Sequence, residues 1–328
     1  MRAKHLKLLL QDTQAMELLA YAASRLARAQ VPETVARGFA MARLTALSKP
    51  EGGVRGIATG DVFRRLVSRT LAKQWAGVFD RATRPHQFAL QARAGTDALA
   101  AHVRAALSLQ RDAVVVSLDG RSAYDSISRT AFLTKLREVA QSLLPFVRLF
   151  YGQASVYFWW DADGNCREVR QGEGCEQGDP LAPALYSFDQ QDALQRAAGG
   201  LDPSDSLLAF LDDLYAVTVP ERARPALDSV VGCVADHCGV ASNLGKARVF
   251  GYAAPLGVAE LGPDAWCGDK PSHERGLVVL GTPIGHCDFV HAWAETRMRD
   301  EQQLLAHLPA LPDLQCSWLL LALCASPR

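Results

Sequence analysis

The chain has 328 residues, 49% hydrophobic and 21% charged, with Lys+Arg and Asp+Glu both 35. That length and composition suit two or three compact units with a sizeable core and argue against a largely disordered chain. Zero net charge argues against avid, sequence-independent nucleic-acid binding through bulk electrostatics, while leaving room for a local basic groove. The eight cysteines form no CxxC pair and no zinc-finger spacing, so they read as free thiols of a reducing compartment. The longest apolar run, residues 318–325, is too short to span a bilayer, and the N-terminus has no signal-like apolar stretch. An intracellular chain with no membrane partner is expected.

Residues 1–48 read as helical, with Leu6, Leu9, Leu10, Met16 and Leu19 at helical spacing and Pro32 interrupting. Residues 47–57 (LSKPEGGVRGI) form a glycine turn between short extended pieces, flanked by Lys49 and Arg55. Asp61 is placed to cap a helix over 62–79, whose apolar stripe is Val62, Leu66, Val67, Leu71 and Trp75. Arg64, Arg65, Arg69 and Lys73 would form its basic face; any one of them alone reads as a solvated surface residue. A helix over 96–109 precedes AVVVSL (113–118), a continuous apolar strand of the kind buried on both faces, ending at Asp119.

Ser128 is placed to cap a helix over 129–141, and extended segments 156–160 and 166–170 flank a turn. The glycine-rich loop GEGCEQGD (172–179) leads through Pro180 into a helix reaching about residue 198. In SLLAFLDDLYAVTV (206–219) apolar and β-branched residues run up to and away from Asp212-Asp213, which predicts a hairpin with both carboxylates at its tip. A helix over 225–238, strands over 247–252 and 276–280, a tight turn at 281–285 and a helical stretch over 292–325 complete the chain.

Two adjacent aspartates repel each other, so the pair is either an ordinary acidic turn or a site for a divalent cation shared with a third carboxylate. Asp119 is the candidate third group: if its strand neighbours the hairpin, a spacing of about 4.8 Å brings the carboxylates together. Such a trio meets the requirement of a two-metal phosphoryl-transfer site. Lys49 and Arg55 could close over phosphates, Gln177 and Gly178 lie before a helix N-terminus, and Lys246 could bind or protonate a leaving phosphate.

These motifs, in this order, resemble a reverse transcriptase, most closely the polymerase domain of non-LTR retrotransposons. LSKPEGGVRGIATGDVFRRLVSRTL is similar to the start of the family's fingers, and VSLDGRSAYDSISR to its first catalytic motif. QGDPLAP, AFLDDLYAV, SNLGKARVF and LGTPIG are similar to the motifs that follow, the resemblance running from about residue 44 to 290.

The resemblance implies an α+β right-hand polymerase fold, with an antiparallel palm sheet flanked by helices. Residues 1–48 would be an N-terminal helical segment, 49–110 fingers, 111–290 palm and 291–328 the start of a truncated thumb. Asp119, Asp212 and Asp213 would bind two Mg²⁺ ions, with Mn²⁺ as a substitute, and Lys246 would assist catalysis. Tyr124 would exclude a ribose 2′-OH. Lys49, Arg55, Gly120, Gln177 and Gly178 would contact the incoming dNTP. Arg64, Arg65 and the primer grip Gly281, Thr282, Pro283, Ile284 and Gly285 would hold an RNA or DNA template with its primer. The implied reaction is RNA-directed DNA polymerisation. An RNA-directed RNA polymerase and a non-catalytic retroelement remnant are the alternatives, and a bulky aromatic at Tyr124 argues against the first.

Overall fold

The computed structural model describes residues 3–48, 52–90, 94–253 and 264–322. Helices α1 (Ala3–Leu9), α2 (Thr13–Ala27) and α3 (Glu33–Ala40) give way to strand β1 (Ala42–Ser48), which corrects the helical reading of residues 1–48 at its end. The Ala-, Leu- and Arg-rich β1 has helix-forming composition, but pairing decides. It runs antiparallel to β2 (Val54–Gly60), from Ala42↔Gly60 to Ser48↔Val54, and parallel to β4 (Ser155–Trp160). With β5 (Cys166–Gln171) the sheet order is β2-β1-β4-β5. Residues 155–171, grouped with the palm on sequence, therefore share a sheet with the strands on either side of the glycine turn. Buried Ala42, Ala58 and Tyr157 form its small core.

The second sheet has the order β6-β7-β3-β8 and is antiparallel throughout, built from β3 (Val114–Leu118), β6 (Ser206–Phe210), β7 (Asp213–Thr218) and β8 (Arg248–Gly251). Its central strand explains the apolar run. Val114, Val116 and Leu118 face the main core with α9 (Ala182–Gly199) and α10 (Pro220–Cys238), while Val115 packs against Leu99, Val103 and Leu107 of α5 (Gly95–Leu109). Burial on both faces makes the strand apolar but for half-buried Ser117, up to its end at Asp119.

Around this sheet lie α4 (Val62–Thr83), the single-turn α6 (Ala123–Ser126), α7 (Arg129–Val139) and α8 (Leu144–Tyr151). The sequence reading missed α8, whose Phe146, Val147, Phe150 and Tyr151 all enter the main core. Helix α4 is capped by Asp61 as expected, but its buried stripe is turned: Phe63, Arg64, Val67 and Ser68 are buried while Leu66 is exposed.

The 281–285 turn is corrected too. The turn is Leu280-Gly281, both left-handed at φ 49° and 85°, and Thr282–Gly285 is strand β10 paired with β9 (Gly276–Val279). Two successive positive-φ residues make the tight turn that matches strand twist. Helix α11 (Cys287–His307) then starts earlier than expected and breaks before α12 (Leu314–Leu320). No described helix is long and apolar enough to cross a membrane.

Candidate active site

Strand register brings the aspartates to one sheet end. The last β3–β7 pair is Leu118↔Leu214, so Asp119 and Asp213 follow at the same edge. In the adjacent hairpin Phe210 pairs with Asp213, leaving Leu211-Asp212 as a two-residue turn. Asp119 is fixed through its carbonyl, which accepts the Asn243 N–H at 2.7 Å, and Arg121 N–H donates to Ala241 O at 2.8 Å. Gly120 allows the close passage between them: a Cβ there would stand 3.0 Å from Ala123 Cβ and 3.1 Å from Val240 Cγ1, beside Asp212 Cβ at 3.9 Å.

The carboxylates feel one another. Burial, then the Asp212 and Asp119 charges, push Asp213 up to about 6. Burial also raises Asp212, with Asp119 adding to the rise while a backbone hydrogen bond and Arg55 oppose it. Lys246 Nζ stands 3.8 Å from Asp119 Oδ2.

Acidic oxygens gathered against their mutual repulsion fit a hard divalent cation. The fit is open rather than closed. Among the described residues, one group of His, Cys and acidic side chains brings three ligand atoms within 4.8 Å of one another, and it is His286, Cys287 and Asp288. That cluster is a helix cap, in which His286 Nδ1 accepts the Asp288 N–H at 3.2 Å at the start of α11.

Tyr124 follows on α6, reached through Ser122 at φ 44°. Its half-buried ring stacks on Tyr186, with centroids 4.8 Å apart and planes at 14°. Burial, then the Asp212 charge, hold its hydroxyl far above the ordinary phenol range, so it stays neutral. Asp119, Tyr124, Gln177, Asp212, Asp213 and Lys246 share a cleft of about 1480 Å³, with Arg55, Arg65, Arg69 and Lys73 on its walls.

A family model described as "Reverse transcriptase (RNA-dependent DNA polymerase)" matches residues 47–261, about two thirds of the chain. The chain belongs to the reverse transcriptase family.

The matched span holds the whole aspartate cleft. The "Retrotransposable element SLACS 132 kDa protein" of Trypanosoma brucei gambiense is 24% identical over 316 residues, covering 92% of this chain and 24% of that protein. This chain thus spans about a quarter of that relative's length. Two solved structures share the fold. Apo telomerase from Candida tropicalis, truncated from the C-terminal domain, has a TM-score of 0.54 at 12% identity, over 76% of this chain and 54% of that one. Telomerase from Candida albicans with the TWJ fragment of telomeric RNA has a TM-score of 0.54 at 13% identity, over 79% and 46%. Together with the two antiparallel-rich sheets, they make this a mixed α/β, right-hand polymerase fold.

The reverse transcriptase cleft does not gather every residue expected of it. Arg64 is corrected: it is 2% exposed and turned away from the cleft surface, bound to Glu176 at 2.9 Å and Asp179 at 3.3 Å and lying over the Phe150 ring at 4.0 Å. Two buried acids outcompete solvent for its guanidinium. Lys49 lies outside the described residues. Gly281 to Gly285 stand outside the cleft, although the Leu280 backbone hydrogen-bonds the Tyr215 hydroxyl, two residues beyond Asp213. Gly178 abuts β2, where a Cβ would meet the Ala58 carbonyl oxygen at 2.5 Å.

Sequence reasoning overlooked what holds the Gln177-Gly178 loop. Asp179 accepts from Ser68 Oγ and from Tyr151 Oη, the latter at 2.9 Å. Buried Arg129 donates to Gly174 O at 3.0 Å and Gln153 O at 2.6 Å. A signal was present: Arg64 and Ser68 are one turn apart on the inward side of α4, polar residues within an apolar stripe.

Proposed function

We propose that this chain is a template-directed nucleotidyltransferase that extends a DNA primer from dNTPs on an RNA template. The observation that carries the reading is the meeting of Asp119, Asp212 and Asp213 at one sheet end, within a cleft that also holds Lys246 and Tyr124. In the reaction the primer 3′-oxygen attacks the α-phosphorus of the dNTP, and pyrophosphate leaves with its electron pair. Two Mg²⁺ ions, or Mn²⁺ in their place, held by the three aspartates would supply charge neutralisation at the reacting phosphate and acidify the attacking hydroxyl.

The chain's own groups do the rest. Arg55 extends from β2 into the cleft, close enough to lower the Asp212 pKa, and would bind the triphosphate. Lys246, beside Asp119, would neutralise or protonate the departing pyrophosphate. Gln177 and Gly178 would pack on the incoming base pair, and Tyr124 would lie beneath its sugar. Residues 111–154 and 172–290 form the palm on this reading, residues 42–60 and 155–171 contribute the fingers sheet, and the β9–β10 hairpin serves as the primer grip.

The deciding experiment is primer extension on an RNA template with dNTPs and Mg²⁺, comparing wild type with Asp212→Asn and Asp213→Asn. Extension by wild type and its loss in both variants are expected. A folded wild-type chain that binds primer–template without extending it would point to a non-catalytic remnant, and preferential use of rNTPs to an RNA polymerase.

A further inference from the structure

The turn that carries Asp212 is held from outside its own sheet. Leu211 sits in the left-handed region at φ 56°, where residues other than glycine are uncommon. Its N–H donates to Gln87 Oε1 at 2.8 Å, and the same oxygen accepts the Ala89 N–H at 3.2 Å. The Gln87 side chain is buried, and its backbone is clamped beside β6. Phe88 N–H donates to Ala209 O at 2.8 Å, and Ala209 N–H donates to His86 O at 2.8 Å. The other end of the amide points the opposite way. Gln87 Nε2 donates to Gln190 Oε1 at 3.2 Å, and Gln190 Nε2 donates to Tyr186 Oη at 3.4 Å. Tyr186 is the ring on which Tyr124 stacks.

We propose that Gln87 is a positioning residue for the carboxylate site: its Oε1 fixes the Leu211-Asp212 turn, and its Nε2 ties that turn through Gln190 and Tyr186 to the Tyr124 ring. The proposal rests on the polymerase reading, because it assigns the held turn a role in gathering cation ligands. Without the acceptor, the Leu211 N–H loses its partner, and only the closing β6–β7 pair still opposes the return of Leu211 to negative φ. That return would swing the next residue, Asp212, relative to Asp119. Hydrogen bonds that orient ligating groups from behind commonly control ion affinity in this way. The competing explanation is that Gln87 simply fills the core, in which case either end of its amide is equally dispensable to the site.

Terbium luminescence titration of the full chain separates the two, with Tb³⁺ as a hard-cation probe and circular dichroism to verify folding. Gln87→Leu is expected to weaken Tb³⁺ binding about tenfold or more. Gln190→Leu, which removes only the Nε2 partner, is expected to leave Tb³⁺ affinity unchanged while lowering thermal stability. Adding Leu211→Gly to Gln87→Leu is expected to recover affinity, since glycine adopts the left-handed conformation unaided. Equal affinity in folded Gln87→Leu and wild type overturns the proposal, as does an equal loss in Gln87→Leu and Gln190→Leu. If Gln87→Leu does not fold, amide exchange in the wild-type chain decides: slow exchange at Leu211 supports the proposal and unprotected exchange overturns it. A wild-type chain that binds no Tb³⁺ would refute the polymerase reading, and the exchange measurement would still answer for Gln87.

Discussion

The Arg64 guanidinium meets the Glu176 carboxylate at 2.9 Å with both side chains 2% exposed, joining α4 to the loop ahead of α9. Burial pushes Glu176 up even with that cation beside it, so the pair exists only because each partner neutralises the other. Arg64→Met would leave Glu176 and Asp179 buried without a counter-ion. The expected loss is about 3–5 kcal/mol of unfolding free energy, measured by urea denaturation at pH 7. A loss below about 1 kcal/mol, the scale of an exposed pair, would show that the network does not hold the loop.

The aspartate site carries an electrostatic penalty that should be visible as pH dependence. Asp213 is raised from an ordinary 3.8 to about 6, and Asp189, buried on α9, to about 7. Below about pH 4 these groups are neutral in both folded and unfolded chains and contribute no difference. Between about 4 and 7 the unfolded chain binds fewer protons than the folded one, so stability falls as pH rises, then levels off. In EDTA, Asp213→Asn should therefore melt higher than wild type above pH 6, with the difference vanishing towards pH 4, while polymerisation is lost. Scanning calorimetry across this range checks the sign. A variant less stable than wild type at pH 7.5 would mean that the carboxylate is not strained by its neighbours.

The sequence made the aspartate hairpin legible because two patterns agree there: a largely apolar strand that ends at Asp119, and apolar runs on both sides of Asp212-Asp213. Each carboxylate stands where apolar burial ends, so position follows from hydrophobic pattern alone. What lay hidden depends on contacts between distant segments. The partners of Arg64 are more than a hundred residues away, so although its spacing with Ser68 on α4 hints at burial, nothing local says which acids it would meet. Strand β1 was hidden for the same reason, its helix-forming residues being overruled by pairing with β2 and β4. The buried role of Gln87 is hidden in the same way, because it needs the turn at Leu211.

Binding of primer–template should be weak and salt-dependent. The net charge is zero, and the contribution comes from exposed Arg65, Arg69 and Lys73 along the cleft wall. Arg65→Ala and Arg69→Ala should each flatten the slope of log affinity against log salt by about 0.9, the value for one lost phosphate contact. Fluorescence anisotropy from low to moderate salt measures this. A slope unchanged in both variants would place the nucleic acid elsewhere on the surface.

Tyr124 should select the sugar. Its ring is fixed by stacking on Tyr186, and it opens onto the cleft that holds Asp212. A 2′-OH directed at a ring backed by a buried partner has no room to relieve the clash, and overpacking of this kind costs about 1–3 kcal/mol. Tyr124→Ala should therefore lower the ratio of dNTP to rNTP insertion efficiency about 5- to 150-fold, on the basis that 1.36 kcal/mol is tenfold in rate. Because burial and the Asp212 charge hold the hydroxyl in its neutral form, it keeps its proton near neutral pH and does not act as an acid, and the ring does the work. Tyr124→Phe should accordingly keep the wild-type ratio. Single-nucleotide insertion kinetics on an RNA template measure both variants. A ratio unchanged in an active Tyr124→Ala enzyme would remove the ring from sugar selection, and a ratio lost equally in Tyr124→Phe would assign that role to the hydroxyl instead.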